Sequence, residues 1–245
     1  MDLPESYNWN ERTVQLLGEE SFQLLKASHV LVVGLGGVGA AAAEMICRAG
    51  VGEMTIADGD IIQTSNINRQ IPALHSNSGK KKAEVVAERL LDINPSLELH
   101  VIQEYIRDKR MEEILDTPFD YIVDAIDTLS PKIYLIYHSL KKGLRITSSM
   151  GSGGKLDPAQ VQIADLKKTY NCRLAYILRK KLRKLGIEGG FPVVFSTEQV
   201  DKNLIIPVEN EQNKKSTIGT ISYMPVVFGC MLASVVIREI SGKAL

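Results

Sequence analysis

The sequence predicts an α/β protein built on a mainly parallel sheet with helices on both faces. Three observations carry this. Apolar runs of strand length alternate with segments of helix length along the first 150 residues, the pattern of successive β-α-β units. The run at 29–33 passes straight into Gly34-Leu35-Gly36-Gly37-Val38-Gly39, a glycine loop at a strand-to-helix turn. Hydrophobic residues are 44% and charged residues 24% of 245, enough apolar material for one sizeable core.

The elements follow in order. After the first strand, 40–49 reads as helix, with Gly50 as its stop. Strand 53–57 ends at Asp58, completing the unit. Residues 80–92 read as helix, closed by Asn94-Pro95. Strand 97–103, short helix 109–115 and buried strand 121–125 come next, the last ending in Asp124-Ala125-Ile126-Asp127. Helix 131–142 and strand 145–149 follow. Beyond Gly151-Ser152-Gly153-Gly154 the pattern weakens, to a strand near 161–164, an amphipathic helix over 173–185 and a strand at 192–196. The expected apolar stripe of that helix is Leu174, Ile177 or Leu178, Leu182 and Leu185. Residues 210–215 are polar and read as a mobile loop, before a strand near Thr220 and a closing helix from about Pro225.

This composition excludes a disordered tail, a collagen-like fibre and a disulfide-rich secreted module. Net charge is zero, yet Lys167, Lys168, Arg173, Arg179, Lys180, Lys181, Arg183 and Lys184 form a run without an acid. The rest of the chain carries 21 basic and 29 acidic residues. A basic stripe on an acidic body points to an oriented polyanion-binding face, with Tyr170 and Tyr176 nearby as stacking candidates. Cys47, Cys172 and Cys230 form no CxxC pair, which argues against a cysteine zinc site and fits a reducing cytoplasm. Residues 1–5 lack the pattern of a signal peptide. The uncharged stretch 221–237 contains Pro225 and Gly229 and reads as a buried core helix, not an integral span, with peripheral membrane contact left open.

The chemistry-bearing residues cluster after the strands. Gly34, Gly36, Gly37 and Gly39 allow backbone N–H groups to approach phosphates at a helix N-terminus. Asp58 stands where an acid bonds a ribose hydroxyl. This fingerprint fits either NAD or ATP. Asn68, Arg69 and Gln70 suit a triphosphate, which a hydride-transfer enzyme does not require. Lys80-Lys81-Lys82 opens a helix against its dipole, so one lysine is expected to meet an anion. Asp127 lies at the carboxyl edge of the sheet and suits Mg²⁺, whereas Asp124 reads as structural.

Together with Asp58-Gly59-Asp60, Ser65-Asn66-Ile67-Asn68-Arg69-Gln70, Lys82-Ala83-Glu84 and Ile93-Asn94-Pro95, these motifs resemble the adenylating family that includes ubiquitin-activating enzymes. The likeness covers about residues 10–240. Arg12-Thr13, Arg69 to Leu74, Pro131-Lys132, Gly151 to Pro158 and Val194 to Glu198 are most similar to its branch acting on threonylcarbamoyladenosine in tRNA. The resemblance implies a single Rossmann-like adenylating domain over 1–245. Residues 10–150 would be the nucleotide-binding core and 151–245 a substrate- and tRNA-facing extension. It implies ATP and Mg²⁺, with Asp58 and Asp60 on the nucleotide, Asn68, Arg69, Gln70 and Lys82 toward the phosphates and Asp127 on the metal. Arg12 would reach the nucleotide of a neighbouring subunit, so a homodimer is implied. A sulfur-relay or cysteine desulfurase partner also belongs to this expectation.

The implied reaction is activation of the threonine carboxylate as a mixed anhydride with adenylate or phosphate, then ring closure by the substrate's own carbamoyl group. Three other readings compete. Adenylation of a ubiquitin-like sulfur-carrier tail is disfavoured by the missing CxxC pairs. An NAD-dependent oxidoreductase leaves Asn68-Arg69-Gln70 and Lys82 unused. A non-catalytic tRNA-binding module leaves every catalytic candidate without purpose.

Overall fold

A computed structural model describes residues 9–201, 203, 205–207 and 216–243. The polar stretch 210–215 lies outside the described residues, as do residues 1–5. Two short helices open the structure, α1 (Glu11–Leu17) and α2 (Glu19–Lys26), neither of them marked by the sequence periodicity. Then β1 (His29–Val33), α3 (Gly39–Arg48), β2 (Glu53–Ala57), α4 (Lys82–Ile93), β3 (Glu98–Ile102), α5 (Asp108–Ile114) and β4 (Tyr121–Asp124) alternate. They are followed by α6 (Leu129–Lys141), β5 (Ile146–Ser149), β6 (Val161–Asp165), α7 (Arg173–Lys184) and β7 (Pro192–Ser196). A small antiparallel pair, β8 (Ile205–Pro207) and β9 (Ser216–Ile218), precedes α8 (Tyr223–Ile240).

Seven strands form one sheet in the order β3-β2-β1-β4-β5-β7-β6, parallel except for the edge strand β6. From β1 the chain goes outward to β2 and β3, then crosses to β4 on the other side. That reversal opens a crevice at the carboxyl ends of β1 and β4, where ligands bind in such sheets.

Strand alternation fills both faces. Val30 and Val32 point into one core with α3, α4 and α8. Leu31 and Val33 point into the other with α5, α6 and α7. On α7 the buried residues are Ala175, Leu178 and Leu182. Leu174 and Ile177 are half-buried and Leu185 is exposed. Leu178 and Leu182 are thus buried as expected, while Ala175 takes the buried place expected of Leu174 and the stripe ends before Leu185.

Residues 223–237 of the apolar stretch belong to α8, a helix long and apolar enough by length and composition to cross a membrane. Half of it is buried inside this fold. It crosses α3 so closely that a Cβ on Gly229 would sit 2.4 Å from the Val38 carbonyl oxygen and 2.7 Å from Ala41 Cβ. Alanines 40–43 make the approach possible from the other side.

Gly229→Ala tests this contact. Better helix propensity adds about 1 kcal/mol, whereas overpacking against backbone costs about 1–3 kcal/mol. The expected outcome is a lower urea midpoint; an unchanged or raised midpoint would show that α8 can slide away freely.

Candidate functional site

The glycine loop is built by close approach. Gly34 has φ +89°, and a Cβ there would lie 2.8 Å from the Ala125 carbonyl oxygen at the end of β4. A Cβ on Gly39 would lie 1.7 Å from the Gly34 carbonyl oxygen, so only glycine lets α3 start here. Gly36 differs: a Cβ there would meet only the Gln70 amide nitrogen, at 3.7 Å. Its open side faces the crevice, and the N-cap of α3, Val38, offers no side-chain acceptor to the first turn. These are the conditions for backbone N–H groups to meet an anion.

Asp58 holds this loop in place. Its Oδ2 accepts from the Leu35 N–H at 2.6 Å and its Oδ1 from the Asp60 N–H at 2.7 Å. Burial pushes the carboxyl above the ordinary aspartate range, while the Lys82 ammonium and those two N–H donors pull it back. Each oxygen keeps a lone pair for a further donor. The sequence suggested only the ribose contact; the structural duty was not legible, since no spacing marks a carboxylate that accepts from a loop.

Among the three lysines opening α4, Lys82 is the buried one. Its Nζ lies 2.7 Å from Asp60 Oδ2. The expected anion is therefore supplied within the chain by Asp60, whose side chain stays 46% exposed. Lys81 donates to Gln103 at 2.6 Å, and Lys80 is exposed. A further residue that the sequence did not indicate joins here. The Tyr105 hydroxyl donates to Asp60 Oδ1, and its ring packs where a Gly59 side chain would stand. That bond, followed by burial and the charges of Asp60, Asp58 and Asp127, pushes the phenol up to about 12.

The polar run lies against the glycine loop, since a Gly37 Cβ would be 2.6 Å from the Arg69 carbonyl oxygen. Arg69 donates to the Ser65 carbonyl at 2.7 Å and to Asn68 Oδ1 at 2.8 Å. Asn68 donates to the Thr220 carbonyl at 3.0 Å, which ties this run to the segment before α8. Gln70 is buried.

Asp127 is exposed, just beyond β4. Below it Asp124 and Lys132 form an ion pair at 2.7 Å with both side chains fully buried. Ser148 on β5 donates to Asp124 at 2.5 Å. The Ile126 N–H donates to Asp124 at 3.1 Å, and Lys132 Nζ to the Ile126 carbonyl at 2.9 Å. Both partners thus grip the turn that presents Asp127.

The structure brings Gly34, Gly36, Gly37, Gly39, Asp58, Asp60, Asn68, Arg69, Gln70, Lys82 and Asp127 to one crevice. It does not bring Arg12 there. That residue is exposed on α1, and no described hydrogen bond or ion pair joins it to the cluster.

A sequence profile of the ThiF family matches residues 7–245. The chain belongs to the ThiF family. This ThiF-family chain is 36% identical over 231 residues to the tRNA threonylcarbamoyladenosine dehydratase of Bacillus subtilis (strain 168), covering 91% of each. It is 34% identical over 260 residues to the enzyme of that name from Escherichia coli (strain K12), covering 96% of each. A crystal structure of the E. coli tRNA N6-threonylcarbamoyladenosine dehydratase in complex with ATP is similar at TM-score 0.88 and 32% identity, over 99% of this chain and 98% of that one.

The basic stripe of this ThiF-family protein is only partly free. Lys167, Lys168, Arg173, Lys180, Lys181, Arg183 and Lys184 are exposed. Arg179 is turned back, donating to the carbonyl and hydroxyl of Thr169. Tyr176 is 59% exposed, and Tyr170 sets its ring edgewise on Phe195.

Removing one member of the buried pair leaves the other uncompensated. Lys132→Met is expected to lower stability by about 3–5 kcal/mol, read from urea unfolding. The double variant Asp124→Leu/Lys132→Met is expected to recover part of that loss. A stable Lys132→Met protein would show the pair to be dispensable.

Proposed function

We propose that this protein uses ATP to dehydrate N6-threonylcarbamoyladenosine in tRNA, at position 37. The observation that carries the reading is the extent of the likeness. It runs over 99% of the chain against the ATP-bound E. coli enzyme, so it includes the extension beyond the glycine loop and not the nucleotide-binding part alone.

In this reading Asp58 accepts from the ribose, with Asp60 beside it. The amides of the glycine loop, with Asn68, Arg69, Gln70 and Lys82, take the phosphates. Around Tyr105 three carboxylates, Asp58, Asp60 and Asp127, stand near one buried ammonium, Lys82. Carboxylates in this arrangement suit Mg²⁺, which takes one or two carboxylates plus phosphate oxygens. Asp127 would hold it. When bound, the ion neutralises charge on the phosphates.

A threonine carboxylate oxygen attacks the α-phosphorus of ATP, and pyrophosphate leaves. The product is an acyl-adenylate. Arg69 and Lys82 stabilise the charge that develops. The carbamoyl group of the same nucleoside then attacks the acyl carbon, AMP departs with the carboxylate oxygen, and one proton goes to solvent. Because nucleophile and electrophile share one modified base, no enzyme nucleophile is needed. Two of the three cysteines fit this: burial pushes the Cys47 thiol up to about 11 and raises that of Cys230.

Arg12 would act from a second copy of the chain. The helix that bears it, α1, buries none of its side chains, and Leu16 on it is 81% exposed. These features favour a homodimer that covers α1. The sulfur-relay partner rests on the resemblance alone, and the cytoplasmic setting on the three widely separated cysteines.

Mild digestion and mass spectrometry of modified tRNA incubated with the protein, ATP and Mg²⁺ test the activity. An ATP-dependent loss of one water from the nucleoside is expected. No loss, with protein that still binds ATP, moves the reading to carboxylate activation on a protein tail. Lys82→Ala and Asp127→Ala are expected to abolish cyclisation with circular dichroism unchanged; wild-type turnover in either removes that residue from the mechanism.

Adenosine affinity gives a separate pH readout. Ionised Asp58 accepts from a ribose hydroxyl more strongly than the neutral acid does, and its folded-state carboxyl titrates above the ordinary range. Affinity is therefore expected to fall as pH drops toward that raised value, earlier than for a solvated aspartate. Asp58→Asn should bind more weakly, with a flat profile. A wild-type profile as flat as the variant's would take Asp58 off the ribose.

A further inference from the structure

A groove of about 340 Å³ lies between the start of α6 and the end of α7. Leu129, Ile133 and Leu185 line it with apolar surface, and Tyr134, Lys181 and Lys184 stand along it. Leu129 comes two residues after Asp127. The groove therefore begins at the carboxyl edge of the sheet, beside the proposed reaction site.

Its chemistry is specific. Lys181 and Lys184 are one helical turn apart, so both ammonium groups reach the same side of α7. Among the described residues neither has a carboxylate within ion-pair distance. Tyr134 is 48% exposed, with the His138 ring tilted beside it at 6.2 Å between centroids. An ordinary crevice between two helices has no need of two unpaired cations and a half-exposed aromatic side chain. A phosphodiester flanked by a base uses both: cations take the phosphate, and the ring offers a stacking surface that every base can use. The exposed cations Lys180, Arg183 and Arg173 continue the positive track along α7 away from the groove.

We infer that this groove holds the nucleotide next to the modified adenosine, its base on Tyr134 and its phosphate between Lys181 and Lys184. The inference rests on the tRNA reading above and gives it a docking direction: the RNA lies over the α6–α7 face, with the modified base turned toward Asp127. Neither tyrosine of the basic run, Tyr170 or Tyr176, lines this groove. Both lysines also complement the dipole at the end of α7, a role that by itself would leave RNA affinity untouched.

Fluorescence anisotropy with a labelled anticodon stem-loop carrying N6-threonylcarbamoyladenosine tests the assignment, on the full-length protein across a salt series. The Lys181→Ala/Lys184→Ala double variant should bind roughly tenfold or more weakly, with the slope of log affinity against log salt reduced by about two. Tyr134→Ala should weaken binding roughly tenfold with the slope unchanged, and Tyr134→Phe should restore it. ATP affinity of each variant reports whether the fold is intact. Wild-type RNA affinity in both the double variant and Tyr134→Ala would overturn the groove. So would a wild type that binds no RNA, or one whose RNA binding loses its salt dependence only when cations outside the groove are removed. A wild type that binds the stem-loop through these residues yet removes no water from it would overturn the dehydratase reading and leave the groove standing.

Discussion

The ion pair between Asp124 and Lys132 is the constraint on which the site hangs. Two charges with no exposed surface are tolerable only when every remaining lone pair and proton is matched. Here the matching groups are Ser148 on the next strand and the backbone of Ile126. The pair therefore fixes three things at once: the end of β4, its register with β5, and the turn carrying Asp127. An apolar pair of similar volume could pack as well, but it would not grip that turn.

Asp58 plays the matching part on the other side of the crevice. It binds the backbone of the glycine loop and of its own turn, so β1 and β2 present their ends as one unit. Between these two anchors lie Lys82 with Asp60 and Tyr105, and Arg69 with Asn68. Rigid carboxylates at the flanks and longer cationic side chains between them suit a ligand whose phosphates change charge during reaction.

The fold was legible because β1 and β4 are buried along their length and read as apolar-rich runs, and β2 brings Met54, Ile56 and Ala57 into the core. The positions of the glycine loop, Asp58 and Asp127 were legible because each lies just past a strand end, and the structure brings them to one crevice with Lys82 from the start of α4. The rest depends on contacts distant in sequence. Tyr105 reaches Asp60 across 45 positions, and nothing local marks it. Lys132 entered only as part of the Pro131-Lys132 motif, and nothing local shows that it pairs with Asp124 inside the core. Burial of Ala175 in place of Leu174 depends on how α7 sits on the sheet, which periodicity cannot set. Helices α1 and α2 were missed because α1 buries nothing and α2 buries only Phe22 and Leu25.

The close seating of α8 on α3 has a consequence for how the molecule is made. A Gly37 Cβ would touch Pro225, and Gly229 rests on Val38, so the glycine loop is backed by a helix encoded far downstream. A nascent chain that has emerged through β5 already holds the glycine loop, Asp58, Lys82 and Asp127. Its α3 still lacks the surface it packs against, and the apolar face meant for α8 is open to solvent. Nucleotide binding should thus arrive late in synthesis, as a property of the finished molecule and not of its amino-terminal half.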